Sequence, residues 1–140
     1  MSNVMDSTLR EQINEASRVA EEFTKIYYDI VDKKKSIQKL YMDNGLLVYN
    51  GNGFQGESIG NFLKSLPDTS HQMTTLDAQP ILDSSAGKSY LIQVSGTVKI
   101  SNQKSRAFQQ SFLITAQDNK WKIVTDTFRL QDGICGEIKL

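Results

Sequence analysis

The beginning of the chain has the spacing of an amphipathic helix. Thr8 and Glu11 stand at capping-box spacing, in which a hydroxyl and a carboxylate each bond an unpaired backbone N–H. The pattern therefore predicts a long first helix that begins at Thr8. Its apolar side chains recur at steps of three and four residues, which places them on one face: Leu9, Ile13, Ala16, Ala20, Phe23, Tyr27 and Ile30.

Two shorter helices are predicted after the first. Residues 36–42 carry their apolar side chains on one side, and the Asp-Asn-Gly sequence at 43–45 is typical of a helix end. A third helix follows Gly56 and is stopped by Pro67. Its apolar positions have helical spacing: Ile59, Phe62, Leu63 and Leu66.

Alternation of polar and apolar residues predicts strands in the rest of the chain. Pro80 cannot donate a ladder hydrogen bond, so we expect it at a bulge or at the sheet edge. The order of elements predicts an α+β fold, with three helices packed on one face of a strongly curved antiparallel sheet. The alternating stretches are residues 46–49, 54–55, 71–82 and 90–100, followed by a hairpin at 106–131.

The final strand has large side chains on both of its faces. A strand between a core and water shows simple alternation, so large residues on both faces indicate a second covering surface. We therefore expect the sheet to pack on its own helices and also on another protein. Strict alternation gives one face with Trp121, Ile123, Thr125, Thr127 and Arg129, and an opposite face with Val124, Asp126, Phe128 and Leu130.

Composition and charge narrow the class of partner. At 140 residues with 39% hydrophobic content, the chain is expected to form a single domain over residues 1–140, with a core at about 8–132. Sixteen basic residues balance sixteen acidic ones, so the overall field that attracts nucleic acid or an anionic membrane is absent. We expect any contact with RNA to be indirect, and we expect no membrane partner.

Few residues are available for a metal site or a disulfide. Cys135 is the only cysteine of the sequence and His71 is the only histidine, so neither a disulfide nor a zinc site is expected. The sequence shows no signal-peptide core, membrane-spanning run or lipidation box. These features predict a soluble intracellular protein without a metal or a cofactor.

A series of short strings, in order along the chain, carries a family resemblance. They are Glu22-Phe23, Ile26-Tyr27-Tyr28, Leu40-Tyr41, Asn50-Gly51, Gln79-Pro80, Ser95-Gly96-Thr97-Val98-Lys99, Phe112-Leu113-Ile114-Thr115-Ala116-Gln117, Trp121-Lys122-Ile123 and Phe128-Arg129-Leu130-Gln131-Asp132. In these strings the chain resembles the nuclear transport factor 2 family, and it is most similar to the export-cofactor branch of that family. The resemblance runs from about the first helix to Asp132.

The resemblance implies a protein partner. Members of the export-cofactor branch pair with the large nuclear RNA export factor, whose partner domain has the same fold, and the heterodimer docks on phenylalanine-glycine nucleoporins. The resemblance thus implies a cofactor of messenger RNA export that shuttles between nucleus and cytoplasm through the nuclear pore. The branch uses an arginine of the last strand to meet an acidic residue of the partner, and by motif position that arginine is Arg129.

A partner-facing surface can be assigned around Arg129. Thr125 and Thr127 share its predicted face, and such small neighbours leave room for a bidentate guanidinium contact. A heterodimer is favoured, since two identical copies would oppose Arg129 with Arg129. Alternation on the preceding strands adds four residues to this face: Gln93, Ser95, Gln109 and Ser111.

One alternative is the activity of the import factor in the same family, a homodimer that carries Ran-GDP. Its acidic Ran-binding loop is matched here by residues 101–105, which include no carboxylate, so Ran binding is not favoured. Tyr49 stands where the import factor has a repeat-binding tryptophan. We therefore expect docking on nucleoporins to occur through the partner subunit.

A second alternative is an enzyme, because the fold also resembles that of cavity enzymes such as a steroid isomerase and small dehydratases. Such enzymes place carboxylates with histidine or tyrosine between helices and sheet, and the candidates here are Asp77, Asp126, His71, Tyr27 and Tyr41. His71 is expected at the surface or rim. Asp126 is expected to cap a helix terminus or to bond a tyrosine hydroxyl. No catalytic residue is predicted.

Overall fold

A computed structural model describes residues 6–82 and 87–131, so Cys135 lies outside the described residues. Within these ranges the chain forms two α-helices, one 3₁₀ turn and six strands. In chain order they are α1 (Ser7–Lys33), the 3₁₀ turn (Ile37–Leu40), β1 (Tyr41–Tyr49), β2 (Asn52–Gln55), α2 (Glu57–Ser65), β3 (Thr69–Pro80), β4 (Ser89–Ile100), β5 (Arg106–Gln117) and β6 (Lys120–Leu130). The predicted α+β class is confirmed, with two α-helices where three were predicted.

The six described strands form one curved sheet in the order β2-β1-β6-β5-β4-β3. Neighbouring strands are antiparallel, except that β1 and β6 run parallel. The helices cover one face, which we call the inner face, and fully buried side chains such as Phe108, Phe112 and Ile92 fill the space between. The parallel pair places the last described strand in the middle of the sheet, and β3, which ends at Pro80, forms one edge.

Helix α1 begins before the predicted capping box. Asp6 is the N-cap residue, and its side chain accepts a hydrogen bond from the Leu9 backbone N–H at 2.8 Å. The predicted start at Thr8 is therefore wrong, because the helix begins at Ser7 and the carboxylate of Asp6 caps its first turn. The predicted core stripe is confirmed in its central part, where Ala16, Ala20 and Phe23 are buried.

The predicted second helix, at residues 36–42, is wrong. Its first part forms only the short 3₁₀ turn, and the chain enters β1 at Tyr41, whose side chain is buried in the core. The predicted helix end at 43–45 lies inside β1 instead. A Cβ on Gly45 would stand 3.2 Å from the Ile123 carbonyl, so this glycine allows β1 to approach β6 closely.

Strand β6 contains an extra residue that changes its side-chain directions. Leu113 of β5 pairs with Thr125, but the next residue, Ile114, pairs with Ile123, so Val124 has no partner on β5. A bulge of this kind resets the alternation. Ile123 is fully buried on the inner face, and Trp121 packs against the buried Tyr90 with ring centroids 5.0 Å apart. The prediction that Trp121 and Ile123 share a face with Arg129 is therefore wrong.

Candidate functional site

The outer face of the sheet, on the side away from the helices, holds all seven residues that were assigned to a partner-facing surface. Beyond the bulge, Asp126 and Phe128 are buried, so the residues between and after them point to the outer face. Strand register then joins the seven residues in three rows: Gln93 with Ser111 and Thr127, Ser95 with Gln109 and Arg129, and Thr125 beside Leu113.

A shallow polar cleft crosses β3, β4 and β5 on this face. It has a volume of about 210 Å³, and Thr75 and Asp77 line it. Four residues of the predicted partner-facing surface also line it: Gln93, Ser95, Gln109 and Ser111. Asp77 is exposed and pairs with Gln93, so its proposed inward position in an enzyme cavity is wrong. The alternation of β3 carries the signal that could have placed Asp77 on the outer face.

The outer face also has an apolar row that the sequence analysis missed. Leu91 pairs with Leu113, which in turn pairs with Thr125, and Thr125 lies beside Leu46 of β1. Leu46 is 39% exposed, and Leu91 and Leu113 are half-buried. The face therefore combines partly exposed leucines with neutral polar groups.

Arg129 and Asp77 carry opposite charges on this outer face. The Arg129 guanidinium lies near the β1–β2 turn, where a Cβ on Gly51 would be 3.8 Å from its Nη2 atom. In the described part of the chain, neither Arg129 nor Asp77 has an oppositely charged group within 4 Å. Both charges are available to groups of another molecule.

Asp126 is the centre of a buried hydrogen-bond network on the inner face. Its Oδ2 accepts from the hydroxyls of Tyr27 at 2.9 Å and Tyr41 at 2.6 Å. Its Oδ1 accepts from Gln110 Nε2 at 2.8 Å, and the Oε1 of Gln110 accepts from the Tyr28 hydroxyl at 2.7 Å. The expected bond between Asp126 and a tyrosine hydroxyl is therefore confirmed.

Burial dominates the electrostatics of this network. It raises the pKa of Asp126 to about 6, against the opposing effect of hydrogen bonds from Gln110, Tyr41 and Tyr27. Burial also raises the pKa of Tyr27 and of Tyr41 well above the ordinary tyrosine value. Asp126 is only 1% exposed, so its carboxylate is enclosed by its own partners and has no open side for a substrate.

His71 has a structural partner that sequence reasoning missed. Its Nδ1 lies 2.6 Å from Asp32 Oδ1, and its backbone N–H donates to Asp32 Oδ2 at 3.0 Å. The His71 side chain is only 6% exposed, so the predicted surface or rim position is wrong. Burial alone would raise the pKa of Asp32, but the hydrogen bonds from His71 outweigh it and keep that pKa below its usual value.

Three further observations concern Tyr49, metal ligands and membrane-spanning helices. Tyr49 stacks on Phe128 with ring centroids 4.6 Å apart, so it belongs to the inner face. No group of three or more metal-ligating side chains occurs among residues 6–82 and 87–131. No helix within those same ranges has the length and hydropathy needed to cross a membrane.

The described residues thus form an α+β cone, with helices on one face of a curved sheet and the other face open. The chain belongs to the nuclear transport factor 2 (NTF2) domain family, whose family model matches residues 19–130. It is 39% identical over 131 residues to NTF2-related export protein 1 of Bos taurus, covering 88% of this chain and 94% of that protein. It is 34% identical over 137 residues to the NTF2-related export protein of Caenorhabditis elegans, covering 94% and 100%.

Solved structures show the same fold at low sequence identity. Nuclear transport factor 2 from Cryptosporidium parvum superposes with a TM-score of 0.73 at 21% identity, over 93% of this chain and all of that one. The complex of the yeast deubiquitinase Ubp3 with its cofactor Bre5 contains a chain that superposes with a TM-score of 0.69 at 17% identity, over 84% of this chain and 98% of that one. These likenesses concern the fold alone.

Proposed function

We propose that the chain is a non-enzymatic cofactor of messenger RNA nuclear export, which forms a heterodimer with the large nuclear RNA export factor through its outer sheet face. The names of the export-protein relatives support a role in nuclear export. The observation that carries the proposal is an open sheet face that combines leucines, neutral polar groups and Arg129, which has no carboxylate partner among the described residues.

In this proposal the partner subunit contacts the RNA and docks on the nucleoporins. RNA contact is indirect, because the chain has no excess of basic residues. Docking on phenylalanine-glycine nucleoporins occurs through the partner subunit, since Tyr49 is packed on the inner face against Phe128. The heterodimer shuttles between nucleus and cytoplasm through the nuclear pore.

The main alternative is a homodimer, such as an import carrier for Ran-GDP. A two-fold axis on the outer face could bring Asp77 of one copy to Arg129 of the other, so the face does not forbid self-association. The loop at residues 101–105 argues against Ran-GDP as cargo, because it offers no carboxylate to a basic surface.

Light scattering decides between the heterodimer and the homodimer. We expect the isolated chain to associate weakly and to form a one-to-one complex when the large export-factor subunit is added. Reversing both charges, with Asp77→Arg and Arg129→Asp in one chain, is the matched control, because it preserves an Asp77–Arg129 contact between two identical copies. A stable homodimer that the double variant keeps, together with Ran-GDP binding and indifference to the large subunit, would contradict the proposal.

A further inference from the structure

The first part of helix α1 extends beyond the core of the molecule. The buried residues of this helix begin at Ala16, and every residue from Ser7 to Glu15 is exposed or half-buried. Leu9 and Ile13 continue the apolar stripe of the helix, yet both are only half-buried. About two and a half turns of an amphipathic helix therefore have an apolar side that is incompletely covered.

A groove separates this part of α1 from the adjoining ends of β3 and β4. It has a volume of about 870 Å³. Pro80, Ile81 and Leu82 line it where β3 ends, and Leu9 lines it on the side of the helix. Ile81 is 37% exposed and Leu82 is 56% exposed, so two adjacent aliphatic side chains are open to solvent. The groove thus has an aliphatic surface that its own fold leaves partly uncovered.

The groove also has an excess of negative charge. Asp6, Glu11 and Glu15 are its carboxylates, and Lys88 is the one cation among its described lining residues. Lys88 Nζ lies 3.1 Å from Glu15 Oε1, and the Tyr90 hydroxyl donates to the same carboxylate, so Glu15 already has partners. Neither Asp6 nor Glu11 has a basic group within 4 Å in the part of the chain that the structure describes.

Glu11 is the carboxylate best placed to meet a ligand. Asp6 caps the helix, where the positive end of the helix dipole already offsets its charge. Glu11 is exposed and lies beyond the first turn, where the effect of the dipole has faded. An uncompensated carboxylate beside exposed aliphatic side chains complements a ligand that is both cationic and aliphatic.

We propose that this groove binds a short cationic amphipathic helix of a partner protein, which packs aliphatic side chains against Leu9, Ile81 and Leu82 and places lysine or arginine beside Glu11. The uncovered part of α1 is about 14 Å long at 1.5 Å per residue, so it matches a helical stretch of about nine residues. The volume is near the upper end of the range for ligand pockets, so it accommodates several side chains. Aliphatic anchors at helical spacing are the usual means by which such a helix binds a groove.

The groove is distinct from the proposed heterodimer surface. Pro80 pairs with the buried Tyr90, and both belong to the helix-covered side of the sheet. Asp77 and Arg129 face outward. The proposed site therefore goes beyond pairing with the large export-factor subunit, and its test does not require that subunit.

A labelled peptide tests the groove directly. The probe is a synthetic peptide of about 14 residues, with leucines at i, i+4 and i+7 and lysines at the flanking positions. We would titrate it with the full chain and follow the polarisation of its fluorescent label. We expect saturable binding that weakens as salt rises from about 50 to about 500 mM. The same peptide with serines for leucines, or glutamates for lysines, should bind at least about tenfold more weakly.

Paired variants locate the binding. Leu82→Ser and Glu11→Lys should each weaken peptide binding roughly tenfold or more. Their matched controls make the same exchanges at exposed residues outside the groove, Leu46→Ser and Glu21→Lys, and should bind as the native chain does. Circular dichroism identifies any variant that fails to fold, in which case the other member of the pair decides.

Three results would overturn the proposal. One is the absence of saturable binding up to about 1 mM of folded protein, since weaker binding has no recognition to explain. Another is equal affinity for the lysine and glutamate peptides, because Glu11 would then have no role. Unchanged binding by both Leu82→Ser and Glu11→Lys would place the peptide elsewhere on the surface.

Discussion

Asp126 and Arg129 are near neighbours on β6, yet they face opposite sides of the sheet. Asp126 is enclosed by two tyrosines and a glutamine, and Arg129 is exposed beside Gln109. Side-chain direction alternates along a strand, so a slip of one residue would exchange their surroundings. Substitution of Asp126 therefore tests stability, and substitution of Arg129 tests association.

The first prediction concerns the charge of Arg129. Arg129→Asp should weaken pairing with the large export-factor subunit by roughly 2–5 kcal/mol, because an acidic partner group would lose its cation and face a like charge. The fold should be unchanged, since the side chain is exposed. Pull-down and circular dichroism on the same samples measure both effects.

Two comparisons sharpen the test of Arg129. Lys104→Asp makes the same charge change in the exposed β4–β5 turn and should pair normally. A basic residue placed on the acidic position of the partner should restore part of the pairing lost by Arg129→Asp. Normal pairing by Arg129→Asp would remove this residue from the proposed interface.

The second prediction concerns pH. The pKa of Asp126 is raised from its ordinary 3.8 to about 6, so the folded protein binds this proton more tightly than the unfolded chain does. The resulting stability is fully present below about pH 4 and is lost as the pH rises through about 6, a difference of roughly 3 kcal/mol. Urea unfolding from about pH 4 to 7 should show this fall in the native chain and not in Asp126→Asn.

The exposed Asp77 supplies the control for the pH experiment, since Asp77→Asn should keep the native slope. The contribution of Asp32 to stability changes with pH in the opposite direction and in a lower pH range. Its pKa is depressed, so its contribution is present above its unfolded value and is lost as the pH falls through its folded value. A slope that persisted in Asp126→Asn would assign the effect to another group.

These residue environments differ in how far the sequence could predict them. The bond from a tyrosine to Asp126 was predictable, because alternation sends this carboxylate inward and a buried carboxylate needs a donor. The contact between Asp32 and His71 was not, since it joins a helix end to an edge strand and no spacing marks it. Gln110 likewise had no sequence signal as the third donor to Asp126.

At the scale of elements, the sequence predicted long regular stretches well and local irregularities poorly. α1, α2 and the four long strands after α2 have strong periodicity, and all are present. The bulge at Val124 is invisible to a strict alternation rule, which therefore placed Trp121 and Ile123 on the outer face. The sequence predicted a helix over the 3₁₀ turn and the first two residues of β1, because Ile37, Leu40 and Tyr41 also satisfy helical spacing.

The third prediction tests a second irregularity, in β3. The register there skips Thr74 opposite Gly96, and a Cβ on Gly96 would stand 2.1 Å from the Gln72 carbonyl oxygen. Gly96→Ala must displace β3, and we expect a loss of roughly 2–4 kcal/mol in the free energy of unfolding. A Cβ on Gly53 meets nothing within 4 Å, so Gly53→Ala should cost less than about 1 kcal/mol. Equal stabilities of the two variants would contradict the steric argument.

At the scale of the whole molecule, the two sides of the sheet carry different features. The outer face presents Arg129 and Asp77, and the inner side, which the helices cover, holds the buried network around Asp126. The residues proposed to bind a partner are therefore separate from those that determine stability.

The central position of β6 has a consequence for synthesis on the ribosome. When translation has just passed β5, β1 and β2 on one side and β3 to β5 on the other lack the strand that joins them. The facing edges of β1 and β5 stay unpaired until β6 has emerged, and apolar surface stays open to the cytosol. Contacts between distant segments also form slowly. The nascent chain thus passes through an aggregation-prone interval that ends only when Lys120–Leu130 leaves the exit tunnel.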